Sequence, residues 1–104
     1  MIFRGPRFGE LIERQLDLFE REHGDLVLEA AERLAAYNRA GREDAEELYG
    51  DYLLTVEAGV EALEDLRDTY ARTLAEGVDV RYEQRFNRAA ARRLPAFPLK
   101  TLEF

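Results

Sequence analysis

From Phe8 to Gly77 apolar side chains recur every three or four residues, and the stripe is broken once, at Ala40-Gly41-Arg42. In the first arm it runs through Phe8, Ile12, Leu16, Phe19, His23, Leu26, Ala30, Leu34 and Tyr37. In the second it runs through Ala45, Leu48, Tyr49, Tyr52, Val56, Val60, Leu63, Leu66, Tyr70 and Leu74. Side chains at this spacing share one face of a helix, so each arm has an apolar seam and a charged back. No proline falls between Arg7 and Leu94, and no ladder donor is lost across the helical span. An arm of about 33 residues is roughly 50 Å long, a length typical of bundles and coiled coils. The pattern therefore predicts an all-α fold built on a long antiparallel helical hairpin.

The expected organisation is a single helical domain over residues 1–104, with helices at about 9–39, 43–76 and 80–93. Gly5-Pro6 keeps residues 1–8 extended, and Pro95 and Pro98 do the same for 95–104. His23-Gly24-Asp25 is the one weak point of the first arm, but the stripe keeps phase across it, which predicts a continuous or gently kinked helix. Glu43, Asp44, Glu46 and Glu47 suit a helix start, since carboxylates offset the positive end of the dipole. Gly77 is the expected left-handed stop of the second arm, and Asp79 the start of the third helix. That helix puts Tyr82, Phe86, Ala89, Ala90 and Leu94 on one side and Arg81, Arg85, Arg88 and Arg92 on the other. Two helices leave much of so long a seam open, and the third covers about half of it. A second copy is the simplest cover, giving a homodimer in which the hairpins pair as a four-helix-type bundle.

Composition removes several chemistries. The chain has no Ser and no Cys, which excludes Ser-His-Asp and Cys-His nucleophiles, and its one lysine, Lys100, lies near the end of the sequence. No Gly-rich loop follows a strand, so a phosphate cradle is missing. Net charge is −7, unevenly spread: residues 43–77 carry −9 and residues 78–104 carry +3. An acidic chain is repelled by nucleic acid and by anionic membrane, and neither is an expected partner. The asymmetry points instead to the basic C-terminal part lying on the acidic hairpin, its own or a neighbour's. With no apolar run near the length of a span and no signal-like segment, a cytoplasmic location is expected.

Glu20-Arg21-Glu22-His23 sets a carboxylate and an imidazole one turn apart on one helix face, a pairing used by di-metal carboxylate bundles. Antiparallel pairing about Gly41 brings Glu57 and Glu61 to the same height, with Gly24 and Gly59 facing each other. Glu20, His23, Glu57 and Glu61 are thus candidate ligands for iron or manganese at a dimer interface. The plainer reading is a histidine satisfied within the seam, with no cofactor. In these features the chain resembles the encapsulated ferritins, short helical hairpins that act as ferroxidases when paired. That family carries its lone Glu on the first helix and Glu-x-x-His on the second, the reverse of the order here.

Glu29 with Glu32 and Glu61 with Glu64 form two Glu-x-x-Glu pairs. Their layout is similar to that of the all-α nucleotide pyrophosphohydrolases, which implies magnesium-dependent cleavage of a nucleoside triphosphate. Glu64 stands where that pattern has aspartate, and Glu29 lies level with Leu54, more than a turn from Glu61. The tail offers Phe97, Leu99, Leu102 and Phe104 as apolar hooks, either folded over the seam or docked on a protein partner. Taken together, the residues favour a structural or protein-interaction bundle without catalytic activity.

Overall fold

The computed structural model describes residues 8–100, so Leu102 and Phe104 lie outside the described residues. Among the described residues the protein is all-α, with three helices and no strand: α1 is Gly9–Arg39, α2 is Arg42–Ala71 and α3 is Val78–Arg93. None is long and apolar enough to cross a membrane.

α1 runs unbroken past Gly24, with one non-helical residue at His23 (φ −126°, ψ 23°) that kinks it. The His23 ring rests on Phe19 with centroids 5.1 Å apart, so the kink keeps an aromatic contact within the seam. Ile12, Leu16 and Phe19 before it and Ala30 beyond it are all buried, so the apolar face stays in phase. Ala40 and Gly41 are both extended and separate α1 from α2. Gly41, at φ −75°, adopts a conformation open to any residue. Its carbonyl accepts the Asp44 and Ala45 N–H groups, each at 3.1 Å, while Glu43 and Asp44 supply charge to the first turn of α2.

α2 stops at Ala71, five residues short of the end expected from the stripe. Thr73 explains the stop. Its N–H and its hydroxyl both donate to the Tyr70 carbonyl, at 2.9 and 2.7 Å, and the Leu74 N–H donates to Ala71. The ladder thus tightens to three-residue spacing, and a side chain competes for a helical acceptor. Gly77 is left-handed (φ +88°), as its position predicts, but it precedes α3 and does not cap α2. The Asp79 carboxylate accepts the Gly77 and Val80 N–H groups at 2.9 and 2.8 Å, which fixes the start of α3.

The core lies where all three helices meet. Tyr82 and Phe86 of α3 sink fully between Leu16 and Phe19 of α1 and Leu63 of α2. Each such side chain contributes on the order of 2 kcal/mol through burial. Tyr82 is ringed by Phe8, Tyr70 and Phe86, with centroids 5.3, 4.9 and 6.0 Å away. Its hydroxyl donates to Gln15 Oε1 at 2.8 Å, which satisfies the one polar atom of the Tyr82 side chain. Burial raises the Tyr82 hydroxyl to about pKa 12.

After Pro95 the chain turns, with the Phe97 N–H donating to the Leu94 carbonyl at 3.0 Å. The Phe97 ring drops into the core, edge-on to Phe19 at 6.1 Å and directly over Gly59. The space at Gly59 is therefore filled by the chain's own tail. α1 and α3 are about 46 Å and 24 Å long at 1.5 Å per residue, so α3 spans half of its neighbour.

Candidate interaction surface

Beyond the core contacts, one arginine clamps α3 to α1 through ion pairs. Arg93 donates through Nε to Glu20 at 3.0 Å, through Nη1 to the Glu13 carboxylate at 3.0 Å, and through Nη2 to Asp17. The three acids lie on one face of α1 at spacings of four and three, and a planar five-donor guanidinium can serve all of them. The hydrogen bonds from Arg93 to Asp17 and Glu20 push its pKa further up. The expected attraction of the basic C-terminal part for the hairpin is thus met within the chain, on α1.

Arg67 ties α3 to α2. It occupies the seam position one turn after Leu63 and is only 5% exposed. Its Nε donates to Asp68 Oδ1 at 2.8 Å and its Nη1 to Asn87 Oδ1 of α3 at 2.9 Å. A buried cation without such partners would cost several kcal/mol. Among the described residues no buried side-chain polar atom lacks a partner. Beside it lies a cleft of about 360 Å³ lined by Arg67, Asp68, Arg72, Asp79 and Glu83. Burial raises the Glu83 carboxyl above its ordinary value, Arg67 pulls it down, and Asp68 and Asp79 push it up. The sequence carried a signal for Arg67, a charge on the stripe between Leu63 and Tyr70, that reading the stripe for apolar residues alone passes over.

The four expected metal ligands do not converge within the chain. Glu20 is engaged by Arg93, His23 lies half-buried on Phe19, and Glu57 and Glu61 are exposed on α2. Among the described residues no three carboxylate or imidazole groups form a metal-sized cluster. Glu29 of the other carboxylate pair is committed to Arg33 at 2.8 Å, and Arg33 reaches on to Asp51 at 3.7 Å. Of the tail hooks, Phe97 is fully buried and Leu99 packs half-buried on the core, so neither ring nor methyls of this pair stand free as a docking group.

The exposed apolar surface lies elsewhere, at the end of the arms away from α3. No residue from Ala31 to Leu54 is buried. Leu34, Tyr49 and Leu53 are 38%, 43% and 37% exposed; Leu34 and Tyr49 continue the stripe that α3 covers further down, and Leu53, one turn after Tyr49, lies at its edge. Tyr37, Tyr49 and Tyr52 stack beside them, with centroids 5.0 and 6.1 Å apart. Tyrosine in such a place offers a rigid apolar ring and a hydroxyl at the rim, a combination common at contact surfaces. Set against known proteins, the chain matches no protein-family model, no curated protein and no solved structure.

Proposed function

We propose that this chain is a structural, protein-interaction helical bundle. In this reading α1 and α2 form an antiparallel hairpin, and the far halves of two hairpins pack face to face about a two-fold axis. The observation that carries it is the contrast between the two ends of one seam. The stripe is sealed by Tyr82, Phe86 and Phe97 where α3 lies on it, and left open at Leu34, Tyr49 and Leu53 where α3 does not reach. A contiguous aromatic and aliphatic face on a two-helix projection is unusual for a solitary domain. Two such faces joined make a four-helix core of the kind that helix bundles use, and an isologous contact closes on itself.

Sedimentation velocity and native mass spectrometry test this directly. The wild-type chain is expected to be a dimer. Leu53→Glu and Tyr49→Glu are expected to lose this pairing with unchanged helix content and to be monomeric at about 0.5 M salt, because both positions are already partly solvated within one chain. A wild-type monomer at micromolar concentration would remove the basis of the reading.

A further inference from the structure

α3 carries Arg81, Arg85, Arg88 and Arg92, all exposed, at offsets of zero, four, seven and eleven. α2 carries Glu57, Glu61, Glu64 and Asp68 at the same four offsets. Each set forms one stripe along a helix and spans about 16 Å. The spacing reads the same in either direction, so the two stripes match whether the helices run parallel or antiparallel. Among the described residues none of the four arginines makes an ion pair, and neither do Glu57, Glu61 and Glu64. Asp68 receives Arg67, yet its side chain remains 41% exposed.

The two stripes cannot meet within one chain. Arg85, Arg88 and Arg92 border the cleft on the α1 side of α3, beside Gly9 and Glu13. Asp68 lies across the opposite cleft, on the α2 side, with Glu83. We propose that the arginine stripe of α3 docks on the Glu57–Asp68 stripe of a second copy of this chain. This contact rests on charge and does not require the apolar arm face. The net charge of −7 opposes approach of two copies, but at about 0.1 M salt that repulsion is screened beyond roughly 10 Å, while pairs in contact are screened much less. Every copy presents both stripes. A reciprocal contact therefore closes a dimer, and a one-way contact extends the assembly.

The test is sedimentation velocity in the Leu53→Glu background, which removes the apolar pairing and leaves the stripes intact. Two charge-reversed chains are compared, Arg85→Glu/Arg88→Glu and Glu57→Arg/Glu61→Arg, each checked for native helix content by circular dichroism. The parent is expected to self-associate at about 0.1 M salt and to weaken about tenfold or more at about 0.5 M. Each reversed chain alone is expected to lose the association, and an equimolar mixture of the two to regain it. Association unchanged by reversal would overturn the proposal, and so would loss in both chains with no recovery on mixing. A 12-nucleotide RNA or a phosphatidylserine vesicle bound by the parent and not by the arginine-reversed chain, with no self-association, would give the stripe a different occupant and also overturn it.

Discussion

Gly59→Ala and Gly50→Ala are the same chemical change in the same helix, and they are expected to have opposite signs. A methyl at Gly50 meets nothing within 4 Å, so it yields only the helix propensity gain, up to about 1 kcal/mol. A methyl at Gly59 would stand 2.7 Å from the Phe97 Cγ and closer still to Cδ1 and Cε1. The ring has to leave. Its burial is worth about 1.5 to 3 kcal/mol, and the hole left against Phe19 adds to that, as in core Phe truncations of about 3 to 5 kcal/mol. Against a gain of up to about 1 kcal/mol, the net loss is about 2 to 4 kcal/mol, a fall in Tm of roughly 8 to 16 °C. Urea titration followed by circular dichroism measures both variants. A third chain settles the cause: with Phe97→Ala already in place, Gly59→Ala is expected to become stabilising. Should Gly59→Ala stabilise the wild-type chain as much as Gly50→Ala does, Phe97 does not occupy this notch, and the tail returns as a free docking segment.

Alkaline stability follows from Tyr82. Its hydroxyl keeps its proton to about pH 12 in the fold and to 10.0 otherwise, so the folded state holds more protons between those values and stability falls on the order of 2 kcal/mol as pH rises from 10 to 12. Urea titrations across that range are expected to show this decline in the wild type and to lose this part of it in Tyr82→Phe; an equal decline in both would refute the assignment. Arg93→Gln removes the clamp on Glu13, Asp17 and Glu20 and is expected to cost about 1 kcal/mol, since the carboxylates are partly solvated, with the difference shrinking in high salt. Iron(II), manganese(II) or a chelator is expected to leave Tm unchanged; a metal-dependent rise that vanishes in His23→Gln would reinstate the carboxylate-bundle reading.

Helix existence was legible because the seam pattern is long and uninterrupted, and the kink at His23-Gly24 was legible because glycine follows a polar residue there. The early end of α2 was not, because it depends on the Thr73 hydroxyl reaching the Tyr70 carbonyl, a choice the apolar stripe through Leu74 does not record. Gly59 and Phe97 each stood out in the sequence, one as space and the other as an apolar hook. Their fit depends on α3 folding back to carry residue 97 over residue 59, and no local pattern encodes that return. The partner that Glu20 takes within the chain was hidden for a related reason. Spacing within α1 put Glu20 beside His23, while Arg93, 73 residues away, took the carboxylate.

The uneven distribution of the core has a kinetic counterpart. Among the described residues the large fully buried side chains, Leu16, Phe19, Leu63, Tyr82, Phe86 and Phe97, belong to the cluster around α3, and the stretch from Ala31 to Leu54 depends on its own ladder bonds and partly buried seam. Such a segment opens at a free energy below that of global unfolding. Amides from Ala31 to Leu54 should therefore exchange with deuterium well ahead of those around Leu16, Leu63 and Tyr82. Pairing of two copies as proposed would slow them, so exchange between Ala31 and Leu54 would double as a residue-level gauge of assembly.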